Sequence, residues 1–205
     1  MSILLPYQRA WVDDRSRFKI WLASRQIGKS FALTLEAVLD AVSRRTTWVF
    51  LSAGERQALE LAEKTRLHLE AIQIAAAELN DDFLDEDGIR YKQLLMRLPN
   101  GSRLIFLPAN PSTARGYTAN VALDEFAFHA DSQAIWAALF PSITRSRDLR
   151  LRVASTPRGK SNAYYRLWEG AERLGTQSVW SRHRTDIYEA VADGLPVDPE
   201  ELREG

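Results

Sequence analysis

The chain has 205 residues, with 27 Lys and Arg balanced by 27 Asp and Glu, 45% hydrophobic residues and no cysteine. That length holds one large α/β domain or two small ones, and the composition excludes a largely disordered chain, disulfides, thiolate catalysis and cysteine zinc sites. The zero net charge argues against a uniformly basic nucleic-acid coat, no apolar run approaches the ~18–20 residues of a membrane helix, and no signal-peptide layout opens the chain.

Short apolar runs alternate with helical patterns nearly end to end, which predicts a mostly parallel sheet with helices on both faces. Phe18 to Ala23 reads as a buried strand, followed after a turn by a helix from about Ser30 to Val42 with Phe31, Leu35, Val38 and Val42 on one face. Thr46 to Ser52 is β-branched and aromatic, a second buried strand, and Glu55 to about Leu79 reads as one long amphipathic helix. The acidic tract Glu78, Asp81, Asp82, Asp85, Glu86 and Asp87 reads as a solvated loop rather than a metal site. Arg90 to Leu98 and Ser102 to Leu107, joined by Pro99-Asn100-Gly101, form a hairpin signal. Ala119 to Leu123 is a short strand, Asp131 to Leu139 a helix, Leu149 to Ser155 a strand, Asn162 to Leu174 a helix and Gln177 to Ile187 a last strand. Residues 1–190 are read as one domain and 191–205 as a polar linker or tail.

Ala23-Ser24-Arg25-Gln26-Ile27-Gly28-Lys29-Ser30 matches the phosphate-loop pattern G-x-x-x-x-G-K-[ST], except that Ala23 replaces the first glycine. The alternative is a chance Gly-Lys-Ser at a helix start, and the strand–loop–helix context argues against it. Such a loop points the N–H groups of Ser24, Arg25, Gln26, Ile27, Gly28, Lys29 and Ser30 inward around a phosphate, helped by the positive end of the following helix. Gly28 permits close backbone approach, Lys29 reaches the β/γ-phosphates of ATP, and Ser30 offers a hydroxyl to Mg²⁺. Nearly a hundred residues later, Val121-Ala122-Leu123-Asp124-Glu125 delivers two carboxylates at a strand end. Asp124 is the candidate to hold Mg²⁺, and Glu125 to orient and deprotonate the attacking water. Ser155 and Thr156 end a third strand before Pro157; they are candidates to sense the γ-phosphate, the alternative being a strand simply stopped by proline.

With these motifs in order, the chain resembles the ATPase (motor) domain of the large terminase subunit of tailed bacteriophages, over roughly Leu4 to Trp168. The loop S-R-Q-I-G-K-S is similar to that family's version, which also often lacks the first glycine and carries an Arg at the place of Arg25. Leu4-Leu5-Pro6-Tyr7-Gln8-Arg9 resembles its adenine-recognising segment, in which Gln8 would read the base edge and Tyr7 or Pro6 would pack near it. Arg115-Gly116 resembles its R-G element, and Ser155-Thr156-Pro157 its coupling motif. The resemblance implies a P-loop NTPase of the RecA-like/ASCE type with an added β-hairpin. It also implies ATP-driven translocation of double-stranded DNA into a procapsid by a homo-oligomeric ring docked on the portal protein, with a small terminase subunit as a further partner. The protein would act in the cytoplasm of the infected bacterial host and would be a monomer in isolation. Large terminases continue into a nuclease domain of ribonuclease-H type; little follows Ile187 to build one, so the expectation is a motor domain alone.

Two arginines can supply positive charge to phosphoryl transfer: Arg25 within the loop toward its own γ-phosphate and, by resemblance, Arg115 toward a neighbour's nucleotide. Arg145, Arg147, Arg150, Arg152, Arg158 and Lys160 form a basic stretch opposed only by Asp148. It suits a sequence-independent grip on DNA phosphates, although Arg150 and Arg152 alternate with Leu149, Leu151 and Val153 as the polar side of a strand would. His68, His129 and His183 have no companions at metal-ligand spacing, and His129, close to the acidic pair, reads as a helix-start residue. The six tryptophans are assigned to core packing. A helicase-like translocase shares these motifs but usually needs a second RecA-like domain. A ring-assembly module with little hydrolysis would not need Glu125.

Overall fold

The computed structural model describes residues 3–84 and 90–200. Its centre is one eight-stranded sheet of order β3-β4-β5-β2-β6-β7-β1-β8. β1 (Phe18–Ala23), β2 (Thr47–Ser52), β5 (Arg103–Pro108), β6 (Asn120–Asp124), β7 (Leu151–Ser155) and β8 (Trp180–Thr185) run parallel, whereas β3 (Ala77–Leu84) and β4 (Arg90–Arg97) add an antiparallel edge beside β5. This is the mostly parallel α/β sheet the sequence predicts. β7 lies between β1, which leads into the glycine loop, and β6, which ends in the acidic pair.

Both faces of the parallel sheet are covered, so its strands alternate between two cores rather than between core and water. Trp21, Trp48, Phe50, Ala122 and Ala154 face a core shared with α1 (Pro6–Asp13), α2 (Lys29–Ser43) and α3 (Glu55–Ala71). Ile20, Val49, Leu51, Val121, Leu123 and Val153 face the other, shared with α5 (Ser132–Thr144) and α6 (Ala163–Leu174). Trp11, Trp21 and Trp48 are fully enclosed, and Trp136, Trp168 and Trp180 pack at the margin of the second core, as expected of structural tryptophans.

The hairpin forms as predicted: β4 pairs with β5, and Gly101 takes φ +83° in the turn, a backbone region that suits glycine. Several boundaries differ from the sequence reading, among them α5, which runs on to Thr144 rather than ending at Leu139. The helix starting at Glu55 stops at Ala71, not near Leu79. There Gln73 turns left-handed (φ +57°), and the Gln73 and Ile74 N–H groups donate back to the Glu70 and Leu69 carbonyls. Ile74 and Ala76 then pack against the core, and residues 77–84 pair with the open edge of β4. An edge strand tolerates acidic side chains that a core helix face cannot. The supposed acidic loop is thus strand backbone through Asp82, with Glu78 paired to Arg66 at 2.7 Å; Asp85, Glu86 and Asp87 lie outside the described residues. At the N-terminus, Pro6 opens the unforeseen helix α1, where its missing N–H costs nothing. The last strand spans only Trp180–Thr185, and α7 (Ile187–Ala192) follows it, capped by Asp186. A short helix, α4 (Pro111–Arg115), follows β5.

Candidate active site

The chemistry gathers at the C-terminal ends of β1, β6 and β7. Ser24 follows β1 and is tied by its N–H to the Thr185 carbonyl at 3.0 Å; the loop then turns through Gln26 (φ +60°) and Gly28 (φ +75°) into α2. A side chain at Gly28 would meet the Gln8 amide nitrogen, so the loop can approach α1 this closely only with glycine there. Ser24, Gln26, Gly28, Lys29 and Ser30, together with Phe31, Lys64 and Glu125, line a cavity of about 280 Å³.

Lys29 is buried and its ammonium lies 2.6 Å from Asp124 Oδ1 and 3.0 Å from Glu125 Oε1. Burial alone would lower its pKa, but the two carboxylates outweigh burial and hold it above the ordinary lysine value. Asp124 is the reciprocal case. Burial works to raise its pKa, yet Lys29, together with hydrogen bonds from Ser30 and the Glu125 N–H, keeps it below the usual carboxylate range. The Ser30 hydroxyl donates to Asp124 Oδ2 at 2.6 Å. Ser30 and Asp124 therefore present hard oxygen donors side by side, the donor set Mg²⁺ prefers.

Glu125 occupies a left-handed conformation (φ +52°), uncommon and costly for a side-chain-bearing residue. Its Oε2 accepts the Thr156 N–H at 3.0 Å and the Thr156 hydroxyl at 3.1 Å. Ser155 lies 3.4 Å from the same oxygen, but its hydroxyl donates to the Thr156 carbonyl at 2.8 Å and accepts the Ala127 N–H at 3.1 Å. The three strand ends recognised separately in the sequence thus form one connected network.

The other candidates stand apart from the cavity. Tyr7 and Gln8 lie behind the loop: the Tyr7 hydroxyl donates to the Ile27 carbonyl at 2.7 Å, and the Gln8 amide donates to the same carbonyl at 3.2 Å. The remaining Gln8 oxygen accepts the Leu5 N–H at 3.0 Å, so both ends of this amide serve the protein itself. Burial, with Asp193 contributing, pushes the Tyr7 hydroxyl up to about 12, and it remains a donor at neutral pH. The Ile27 side chain is fully buried in the core. Arg25 is exposed beside the cavity, and Arg115, at the end of α4, is exposed with its Nε donating to the Pro111 carbonyl at 3.2 Å.

The basic stretch does not form one surface. Arg152 is fully buried and paired with Glu36 at 2.8 Å, while Arg150 reaches Asp40 at 3.0 Å. Exposed Arg145 and Arg147 precede β7, and exposed Arg158 and Lys160 follow it, at opposite ends of the strand. The strand-face reading therefore holds for Arg152, while Arg150 stands one residue before β7. His129 starts no helix: it lies buried under the acidic pair, with Nε2 donating to the Asp124 carbonyl at 2.8 Å, and α5 begins beyond it. Among the described residues no cluster of three His, Asp or Glu is arranged to hold a metal, and no helix is long and apolar enough to cross a membrane.

Residues 20–205 match the family described as terminase large subunit, T4likevirus-type, N-terminal. The chain belongs to this terminase family. It is 32% identical over 203 residues to the probable terminase large subunit gp28 of Escherichia phage Mu, covering 94% of this chain and 36% of that protein. It is 31% identical over 193 residues to the terminase ATPase subunit of Escherichia phage P2, covering 93% of this chain and 30% of that protein. The terminase chain thus spans about a third of the length of these curated relatives. Its fold matches the large terminase ATPase domain of Thermus phage P74-26 with a TM-score of 0.61 at 20% identity, over 96% of this chain and 90% of that one. It also matches the large terminase of a thermophilic bacteriophage in complex with ADP, with a TM-score of 0.67 at 10% identity, over 98% and 48% of the two chains. At those identities the likeness shows a shared fold, the mostly parallel α/β sheet described above.

In this terminase fold the sequence motifs pointed to Lys29, Ser30, Asp124, Glu125, Ser155 and Thr156, and the structure brings all six together. Lys64 and Phe31 were not singled out. Lys64 sits on a helix rich in charged residues, where one more lysine looks like part of a solvated face.

Proposed function

We propose that this domain hydrolyses ATP and that the hydrolysis drives double-stranded DNA into a procapsid. The observation that carries the reading is the meeting of Lys29, Ser30, Asp124 and Glu125 beside a cavity entered by a helix N-terminus. In this reading the loop N–H groups and Lys29 cradle the β- and γ-phosphates, and an incoming phosphate competes with the carboxylates for the Lys29 ammonium. Ser30 and Asp124 would hold Mg²⁺, which supplies charge neutralisation on the terminal phosphates. Glu125 stays fixed by Thr156 at one oxygen; its other oxygen, released by Lys29 as the phosphate takes the ammonium, takes the proton of an attacking water. Thr156 and Ser155 then feel the change at Glu125 and relay it along β7. Arg25 neutralises charge on its own nucleotide, and Arg115 does so on a neighbouring subunit's nucleotide in a ring.

Support for the packaging role comes from the family match and from the relatives named as terminase and terminase ATPase subunits. Residues 1–190 act as the motor domain and 191–205 as a linker or tail, whose Leu195 packs back against the first core; the portal protein, the small terminase subunit and double-stranded DNA are its partners in the host cytoplasm. Gln8 and Tyr7 secure the loop from behind, and adenine packs beside them. Hydrolysis of ATP by the purified chain, measured against protein concentration with and without DNA and portal, tests this. Specific activity should rise with concentration in the parent and not in Arg115→Ala. An absence of hydrolysis under every condition refutes the enzyme reading, and equal concentration dependence in Arg115→Ala refutes the ring arginine.

A further inference from the structure

We infer that Lys64 on α3 is a nucleotide-contacting residue that meets the terminal phosphate of ATP from the α3 wall of the cavity. This inference rests on the nucleotide reading above and deepens it.

The cavity is lined by two cations, Lys29 and Lys64. Lys29 is already committed, its ammonium bridging Asp124 and Glu125. Formal charges at the site, Lys29 and Lys64 against Asp124 and Glu125, sum to zero; without Lys64 the sum is −1 before any triphosphate arrives. Arg25 is exposed and does not line the cavity. Lys64 is half-buried and has no ion pair or hydrogen bond among the described residues. A half-buried ammonium facing a cavity without an acceptor is suited to an anion that enters it.

Its position is built rather than incidental. His68 lies one helical turn further along the same face of α3, and its Nε2 sits 3.1 Å from both Thr34 Oγ1 and the Phe31 carbonyl on α2. The Phe31 and His68 rings meet edge to face at 4.4 Å. Phe31 itself lines the cavity directly after Ser30. Thus α3 is pinned to the first turn of α2 beside the phosphate loop, and the pin sets Lys64 at the cavity wall. The long lysine stem leaves the ammonium able to follow the phosphate.

The test is calorimetric titration of the whole chain with ATPγS and, separately, ADP, in the parent, Lys64→Ala, Lys64→Arg and Lys29→Ala. Lys64→Ala should weaken ATPγS by about tenfold, the scale of one charge-assisted hydrogen bond, while ADP changes less than about threefold. Lys64→Arg should stay close to the parent, and the ATPγS deficit of Lys64→Ala should shrink at high salt. Parental affinity for both nucleotides in Lys64→Ala overturns the inference and leaves the nucleotide reading intact. Equal weakening of both overturns the assignment to the terminal phosphate. Failure of the parent to bind either nucleotide, with Lys29→Ala no different, overturns both readings together.

Discussion

One carboxylate oxygen of Glu125 accepts both the N–H and the hydroxyl of Thr156, at 3.0 and 3.1 Å. The residue after β6 and the residue after β7 are thereby joined through a single atom, and the second Glu125 oxygen is left to Lys29 at 3.0 Å. A side chain held at both oxygens has little rotational freedom, which suits a group that must receive a proton in a fixed direction.

Thr156→Val keeps the N–H contact and the side-chain volume but removes the hydroxyl. With one hydrogen bond to a carboxylate lost, kcat should fall by about tenfold while KM for ATP moves little. A fall confined to KM would place Thr156 in ground-state binding instead.

Glu125→Ala should abolish turnover, a loss of at least ~10²-fold, while ATPγS still binds. Because Glu125 occupies a left-handed conformation, Glu125→Gln is the better-matched partner variant: it keeps the shape and one acceptor oxygen for Thr156, but loses the Lys29 ion pair and the base. Normal hydrolysis in either variant contradicts the proposed proton transfer.

Gly28→Ala meets two obstacles, the positive φ of +75° and the Gln8 amide. The backbone conformation alone costs about 1–2 kcal/mol for an alanine. Gln8→Ala in the Gly28→Ala background removes the collision and should recover part of the lost urea-unfolding stability, but not all of it. Additive losses in the double variant would show that the two residues do not press on each other.

Glu36 lies between two buried cations, Lys19 at 2.9 Å and Arg152 at 2.8 Å, beneath the sheet. Glu36→Gln strands both cations and should cost about 3–5 kcal/mol in urea unfolding. Burial lowers the Lys19 pKa to about 8 even with Glu36 present. A lysine whose folded pKa lies below its unfolded value penalises folding while charged, and that penalty fades as pH rises from the folded toward the unfolded value. Without Glu36 the folded value drops further, so the deficit of Glu36→Gln should narrow as pH rises toward about 8, above which both penalties fade in parallel. A deficit that widens with pH would show Lys19 to be stabilised, not strained, by its site.

The parts of this site that act through local backbone were legible in the chain. A strand, a glycine turn and Lys29-Ser30 at a helix start follow one another without interruption, and a run such as Val121 to Leu123 can deliver Asp124-Glu125 to one sheet end whatever its neighbours. The Asn100-Gly101 turn was legible for the same reason. The end of α3 was not, because Ile74 and Ala76 continue its apolar content while the decisive fact is the open edge of β4.

By itself, then, the order of motifs determined the fold class, the phosphate loop and the acidic pair, since each depends on residues adjacent in sequence. Only the tertiary structure decided which charges are surface and which are core. Arg152 reads as a polar position of a strand, yet it is buried, as Lys19 on the neighbouring β1 is, because α2 brings Glu36 across the sheet to neutralise both. Lys64 reads as one more solvated lysine, yet the pin between His68 and Phe31 sets it at the phosphate cavity. Those outcomes depend on helices packing across the sheet or against one another, over distances in the chain that no local pattern spans.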